Sequence, residues 1–180
     1  TDKKIRGFRH ILQDEEDRAC MLQPGFCRGI GALREFGFTY DLLIYPDQLP
    51  FARQLVKTFP EQPFIIDHLA KPRIRNEEIV EWKKEMFNIS RMQNVYCKLS
   101  GMITEAHWKE WTKETFTPYI DAIVEYFGVD RILFGSDWPV CLQAGSYRAV
   151  LGIAEDYFSG FSVSEKEKIF GGNALSFYGI

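Results

Sequence analysis

The chain alternates short apolar runs with longer amphipathic segments, and this alternation constrains its fold more than any other feature. The apolar runs, which we predict to be strands, cover residues 5–11, 38–45, 64–69, 95–99 and 131–136. The predicted helices cover residues 24–36, 48–59, 76–92, 108–127, 147–158 and 164–170. Strands that alternate with helices form βαβ units, so the sequence predicts an α/β fold with a parallel sheet.

Turn residues mark the ends of these segments. Pro24 suits the first turn of a helix, and Gly37 suits the position just after its end. Ser164, with Glu167 three residues later, predicts a capping box for the last helix. The predicted strands are apolar on both faces, as buried parallel strands are. Because no linker or low-complexity segment interrupts the pattern, we expect residues 1–180 to form a single domain.

Two architectures remain after this reading, a doubly wound sheet and a (β/α)₈ barrel. The first predicted strand is not followed by a glycine-rich phosphate loop. The nucleotide-binding version of the doubly wound sheet therefore loses support.

Composition excludes several classes of partner. The chain has 22 basic and 25 acidic residues, a net charge of −3, and no long basic run, so we expect no nucleic-acid partner. The short cluster Lys71, Arg73 and Arg75 is interpreted as a solvated loop rather than a binding patch. No apolar stretch approaches the length of a membrane span, and the four cysteines match no zinc pattern. A soluble cytoplasmic protein is the expectation.

Each predicted strand ends in polar or ionisable residues. In barrels and open α/β sheets the carboxyl ends of the strands are where active sites are built. A single such residue often only caps a loop, but five consecutive strands share the feature, which favours a common active site. The residues are Arg9 and His10, Tyr45, Asp67 and His68, Lys98 and Ser100, and Ser136, Asp137 and Trp138.

Asp137 and His68 are the candidate catalytic residues, and both are also candidate metal ligands. A carboxylate at Asp137 could accept a proton from water or bind a metal, whereas the structural alternative is a residue that caps or locks a loop. A neutral imidazole at His68 could bind a metal or donate to a substrate carbonyl, whereas the structural alternative is a core histidine bonded to backbone. Asp67 is interpreted as an orienting or structural residue rather than as a second base.

Five further residues are candidates for substrate binding. Arg9 and His10 suit a carboxylate or a polyhydroxylated substrate, with an ion pair to a neighbouring strand as the alternative. Lys98 on a buried strand requires a substrate or an internal ion pair. Tyr45 and Trp138 could each line the site or simply pack.

Six segments, taken in order, resemble the amidohydrolase superfamily, and in particular its sugar-lactone and pyrone-dicarboxylate lactonase branch. They are GFRHILQDEED, TYDLLIYPDQL, FIIDHLAKP, VYCKLSGM, RILFGSDWPV and KIFGGNALSFYGI. The resemblance implies a (β/α)₈ barrel in which Asp137 activates water and His68 binds a metal or polarises a lactone carbonyl. It also implies that Arg9, His10, Tyr45 and Lys98 stand at strand ends that hold substrate. Members of this branch differ in their use of a zinc-like divalent ion, so a metal-dependent and a metal-independent enzyme both remain open.

The chain departs from the family pattern at its start. It contains no His-x-His pair, and its first strand resembles the third strand of the family barrel. We therefore expect an incomplete barrel of about strands 3 to 8, cut from a longer protein, with about 100 residues of a typical barrel lying before Thr1. Since catalytic zinc usually has three protein ligands, the isolated piece is expected to be inactive.

These observations predict a hydrolase that opens a sugar-acid lactone by attack of an Asp-activated water. Two alternatives remain, a decarboxylase of the same superfamily and a non-catalytic barrel. The expected partner is a small molecule, with neither membrane nor nucleic acid involved, and a homodimer is the default assembly.

Overall fold

A computed structural model describes residues 4–180 of the chain. Within them lies one five-stranded sheet in which every neighbouring pair is parallel. The strands are β1 (Gly7–His10), β2 (Thr39–Leu42), β3 (Phe64–Ile66), β4 (Val95–Leu99) and β5 (Ile132–Phe134). Their spatial order is β1-β2-β3-β4-β5, the same as their order in the chain. Among the described residues the order never reverses, whereas a doubly wound sheet requires a reversal.

Eight α-helices follow and connect the strands in the described part of the chain. They are α1 (Pro24–Glu35), α2 (Leu49–Thr58), α3 (Val80–Ser90), α4 (Met102–Glu105), α5 (Lys113–Phe127), α6 (Tyr147–Tyr157), α7 (Val163–Glu167) and α8 (Asn173–Tyr178). Pro24 occupies the first turn of α1, and Gly37 follows its end with a φ of +72°. Only glycine adopts this backbone conformation at little cost, so the predicted end of the helix is confirmed.

The last part of the chain differs from the sequence prediction. The capping box lies at Ser162 and Glu165, two residues earlier than predicted. Both serine–glutamate pairs match the same motif, but Phe161 packs against the core and so places the turn just before Ser162. After α7, residues Lys168–Gly172 form one π-helical turn that leads into α8, a helix that the prediction missed.

Other predicted elements are also too long, including the second strand, which ends at Leu42 rather than at 45. The third strand ends at Ile66 rather than at 69, because the backbone turns into a left-handed conformation from His68 onward. The predicted helix 76–92 begins at Val80. The predicted segment 108–127, which was expected to be helical at least from Thr117, is helical from Lys113, with the short α4 before it.

The two faces of the sheet have different character, so the prediction of strands apolar on both faces holds for β3 and β5 but is wrong for β1, β2 and β4. Side chains such as Leu42, Phe64, Ile66 and Cys97 are buried against the helices in the main hydrophobic core. Residues of the opposite face include Arg9 and Asp41, which are paired in register, and Lys98, which pairs with Leu133. Because side chains alternate between faces along a strand, one face carries the core and the other carries charge.

Helix α8 returns to the charged face. Phe177 packs there on Ile65 and Leu133, and its ring centroid lies 4.8 Å from that of Tyr96. The next residue, Tyr178, reaches Asp41 with its hydroxyl at 2.9 Å. The C-terminal helix therefore covers part of a sheet face that the other helices leave open.

A search of residues 4–180 for a helix with the length and apolar character needed to cross a membrane finds none.

Candidate active site at the carboxyl edge of the sheet

Asp137 and His68, the two candidate catalytic residues, lie together at the carboxyl edge of the sheet. The Nε2 atom of His68 is 3.5 Å from Oδ1 of Asp137. Their side chains are 12% and 14% exposed, so both are largely screened from solvent. The loops after β3 and β5 thus bring together two residues that are 69 positions apart in the chain.

His68 stands on a turn of left-handed backbone. The φ angles of His68, Leu69, Ala70 and Lys71 are 53°, 55°, 56° and 50°. Left-handed conformation costs roughly 1–2 kcal/mol for each residue with a side chain. Four in succession persist only where the surroundings compensate, and such backbone clusters at functional sites.

Several contacts hold this turn in place. The backbone N–H of Lys71 donates to the carbonyl of His68 at 2.7 Å. The indole N–H of the buried Trp82 donates to the carbonyl of Leu69 at 2.7 Å. Leu69 and Ala70 are completely buried in the core. Trp82 is therefore a packing residue and also a hydrogen-bond partner of the turn that carries His68.

Asp137 also has left-handed backbone, with a φ of +55°. Its carbonyl accepts a hydrogen bond from the N–H of Cys141 at 2.9 Å, which closes the turn after β5. Both candidate catalytic residues therefore occupy positions of backbone strain, each at the end of a buried strand.

The other side of the His68 ring contacts the end of β4. Its Nδ1 atom is 2.8 Å from Oγ of Ser100. Gly101 follows with a φ of +68°, and a Cβ at this position would lie 2.8 Å from Cβ of His68. Only glycine leaves room for the imidazole here, so Ser100 and Gly101 together fix the ring orientation.

The environment favours a neutral His68. Burial lowers the pKa of His68 below its usual value, and the nearby negative charge of Asp137 only partly opposes this effect. A neutral ring has one N–H and one lone pair. If Ser100 donates to Nδ1, then Nε2 carries the proton and can donate to a substrate. If Nδ1 donates to Ser100, then Nε2 can bind a metal.

Beneath this pair lies a network of charged side chains. Lys98 Nζ is 2.8 Å from Oδ1 of Asp67 and 2.5 Å from Oδ2 of Asp41. Arg9 donates to the other oxygen of Asp67 at 3.0 Å, and Tyr178 donates to Asp41. The network joins β1, β2, the end of β3 and β4 to the C-terminal helix.

The pKa values in this network follow from its pairing. Burial would lower the pKa of Lys98, but the carboxylates of Asp67 and Asp41 raise it above its usual value. Burial alone would raise the pKa of Asp67, but Lys98 and the hydrogen bond from Arg9 lower it below its usual value. Lys98 and Asp67 are therefore held as a charged pair. This arrangement is the internal ion pair that the sequence analysis kept as an alternative for Lys98 and for Arg9.

The remaining candidate binding residues lie around this centre. His10 bonds through Nε2 to Glu15 at 2.6 Å, and its ring contacts Phe26 of α1, on the face away from Arg9. The Tyr45 ring contacts two cations, Arg18 and Lys71, each 5.7 Å from its centroid. Trp138 is 65% exposed beside Asp137. Their roles in binding stay predictions.

Sequence reasoning missed Lys71, Glu105 and Asp41 as parts of this region. Lys71 was assigned to a solvated loop, but its side chain is only 19% exposed and pairs with Glu105, because the left-handed turn folds it back over the sheet edge. Arg73, from the same cluster, is exposed and pairs with Glu78, as a solvated loop predicts. A charged residue inside an apolar run was the available signal for Asp41.

His68 and Asp137 offer two donors to a metal ion. Within residues 4–180 no group of three or more His, Cys, Asp or Glu side chains is arranged to hold one. Catalytic zinc sites have three protein ligands. The described residues therefore fit two ligand positions and not a complete metal site.

Comparison with known proteins gives matches along the whole chain. A family model described as amidohydrolase matches residues 1–180. An L-fucono-1,5-lactonase of Burkholderia multivorans is 35% identical over 188 residues, which cover 98% of this chain and 64% of the relative. An L-rhamnono-gamma-lactonase of Scheffersomyces stipitis is 28% identical and covers 98% of this chain and 59% of the relative. The chain thus spans less than two thirds of the length of these relatives.

Solved structures agree with these sequence matches. A crystal structure of an amidohydrolase from Burkholderia multivorans with bound zinc superimposes with a TM-score of 0.96 at 34% identity, covering 100% of this chain and 66% of that one. A putative 2-pyrone-4,6-dicarboxylic acid hydrolase from Pseudomonas putida superimposes with a TM-score of 0.77 at 20% identity, covering 97% and 63%. At that identity the second match supports the fold alone.

Proposed function

The chain belongs to the amidohydrolase family, and from this membership we propose that the protein hydrolyses the ring ester of a sugar-acid lactone. The observation that carries the proposal is the pairing of His68 with Asp137, 3.5 Å apart at the carboxyl edge of a parallel sheet. The names of the relatives from Burkholderia and Scheffersomyces, both lactonases, supply the substrate class.

The fold proposed for the complete protein is a (β/α)₈ barrel. The sequential order of five parallel strands supports it, because each strand then lies beside its predecessor, as in a closed barrel. The charged face of the sheet would be the barrel interior, and His68 and Asp137 would stand at its mouth. In barrel enzymes that end carries the active site.

The chemistry assigned to these residues is hydrolysis of an ester. Asp137 accepts a proton from a water molecule while the oxygen of that water attacks the lactone carbonyl carbon. The carbonyl oxygen gains negative charge, and an N–H at Nε2 of His68 donates to it. When the ring C–O bond breaks, the leaving oxygen takes up the proton that Asp137 accepted, and the open-chain sugar acid is released.

A divalent metal would supply Lewis-acid polarisation of the carbonyl and an acidified water. The zinc in the related Burkholderia structure supports such an ion, and His68 and Asp137 are the residues of this chain that would contribute to holding it. Since the described residues fill only two ligand positions, the steps above are derived without the metal. The proposed partner is this small-molecule substrate, with assembly as a homodimer.

The test uses the complete gene product that carries this chain, with L-fucono-1,5-lactone as substrate and acid release as the signal. Asp137→Asn should lower kcat by about 10²-fold or more, the range expected for loss of a general base. Asp130→Asn is the matched control, because Asp130 is an exposed carboxylate that pairs with Lys168 away from the site. Wild-type turnover in Asp137→Asn would refute the assignment. Release of carbon dioxide from an aromatic acid would identify a decarboxylase instead.

A further inference from the structure

Lys71 and Glu105 form an ion pair at the rim of the candidate active site. Lys71 ends the left-handed turn after β3, and Glu105 is the last residue of α4, which follows β4. The Nζ atom is 3.5 Å from Oε1, and the side chains are 19% and 21% exposed. Neither residue has a role in the mechanism described above.

Both residues are held close to His68. Lys71 lies three positions after His68 on the same turn, and the two intervening residues are buried in the core, so the turn directs its two polar side chains away from the core. On the other side, α4 begins directly after Gly101, where an added Cβ would lie only 2.9 Å from Cγ of His68. The same helix contacts the segment after Asp137. The pair thus lies where three strand-end loops meet.

The charges of the pair and of the site influence one another. Burial raises the pKa of Glu105, Lys71 lowers it, and the nearby charge of Asp137 raises it further. The charge of Lys71 in turn lowers the pKa of His68. The contact of α4 with the segment after Asp137 places these charges on neighbouring loops.

The two charged groups of the pair can each still bond a third group. A separation of 3.5 Å is longer than a charge-assisted hydrogen bond, for which about 2.7–2.9 Å is usual. A hydroxyl can accept from the ammonium and donate to the carboxylate at the same time. Lys71 also lies 5.7 Å from the centroid of the Tyr45 ring, an apolar face next to the charged pair.

An ion pair in such a place contributes little to stability. Removal of two charges from water costs about as much as their attraction returns, so apolar residues could replace both partners with little loss of stability, although loss of one partner alone leaves a costly unpaired charge. Glu105 and Lys71 are therefore better explained by a ligand than by folding alone. A sugar ring matches them, since it presents hydroxyl groups at its edge and C–H groups on its face.

We propose that Lys71 and Glu105, with the face of Tyr45 beside them, form the subsite that binds ring hydroxyl groups of the substrate. This inference rests on the proposed lactonase function and adds the basis of its substrate choice. Lactones with hydroxyl groups bind through the subsite, whereas a lactone ring without them reaches only His68 and Asp137.

The experiment compares two six-membered lactones in the complete gene product, L-fucono-1,5-lactone and the unsubstituted δ-valerolactone. Lys71→Met and Glu105→Met should raise KM for the fuconolactone about tenfold or more, because each leaves a hydroxyl unpaired. The same variants should change kcat/KM for δ-valerolactone by less than about twofold. Glu105→Gln keeps an acceptor and should partly restore the fuconolactone KM.

Lys84→Met and Glu81→Met are the matched controls, because they disrupt an exposed ion pair of α3 and should change neither substrate. An equal loss for both lactones, or an unchanged KM for the fuconolactone, overturns the subsite while leaving the lactonase proposal intact.

Calorimetric binding of L-fuconate, compared with 5-hydroxypentanoate, tests the subsite without turnover. If the wild type hydrolyses neither lactone, the proposed function fails, but the binding data still test whether Lys71 and Glu105 form a subsite. Weaker fuconate binding in Lys71→Met, by about tenfold, supports the subsite; unchanged binding refutes it.

Discussion

Gly101→Ala provides a direct test of how the chain positions His68. Gly101 has a φ of +68°, and an added Cβ would lie 2.8 Å from Cβ, 2.9 Å from Cγ and 3.0 Å from Nδ1 of His68. The substitution therefore introduces backbone strain and a clash with the imidazole. No flexible side-chain end is available to relieve the clash, because the contacts involve the stem and ring of His68.

The magnitude follows from these distances. Left-handed strain in alanine costs roughly 1–2 kcal/mol, and overpacking of a tight site adds roughly 1–3 kcal/mol. Ordinary contacts begin near 3.4 Å, so the His68 stem must move by about 0.6 Å, and a displacement of that order can reduce turnover by about 10²-fold. We expect a loss of about 2–5 kcal/mol in the free energy of unfolding, together with this loss of turnover.

Gly37→Ala is the matched control. Gly37 has a φ of +72° at the end of α1, but nothing lies within 4 Å of an added Cβ. It should therefore show the strain alone, roughly 1–2 kcal/mol, with normal kcat. Urea unfolding gives the free energies, and lactone hydrolysis by the complete gene product gives kcat. Equal destabilisation of the two variants, with equal kcat, would refute the idea that Gly101 is required by His68.

Three further predictions concern stability and can be measured by urea unfolding. Lys98→Met should lower the free energy of unfolding by about 3–5 kcal/mol, because it leaves Asp41 and Asp67 buried without their shared cation. Lys84→Met, at an exposed position, should leave that free energy almost unchanged, and equal losses in the two variants would contradict the pairing. Trp82→Phe should lower the free energy of unfolding by about 1–3 kcal/mol, because the carbonyl of Leu69 loses its buried donor. A change near zero would show that the left-handed turn does not need this hydrogen bond. Arg18 lowers the pKa of Asp47, so the stability that this pair contributes is present above the usual carboxyl pKa of about 4 and is lost as the pH falls through the lower folded value. The difference in unfolding free energy between wild type and Asp47→Asn should therefore shrink in acid, and a difference that grows there would contradict the sign.

The general form of the fold was accessible from local patterns. Apolar runs separated by helical periodicity predicted a parallel α/β sheet, and β4 was placed at its observed residues, 95–99. Boundaries failed where the local signal was ambiguous. Ser162 and Ser164 both satisfy the capping motif, and only the packing of Phe161 decides between them.

The candidate site was partly accessible for a similar reason. The carboxyl ends of parallel strands lie at one edge, so polar residues that end successive strands, such as His68 and Asp137, are expected to lie near one another. Both residues can be recognised in the sequence because they are polar and directly follow apolar runs. The left-handed turn at 68–71 gave no such signal, since none of its residues is a glycine.

The sequence by itself thus determined the alternation of strands and helices and the polar residues at the strand ends. The tertiary structure alone decided which charges meet. Lys98 forms an ion pair with Asp41, which is 57 residues away in the chain, and Lys71 forms one with Glu105 from another loop. Such pairings depend on strand register and on the path of the backbone through strained turns. Both are set by packing of the whole sheet, because no local segment carries enough free energy to choose them.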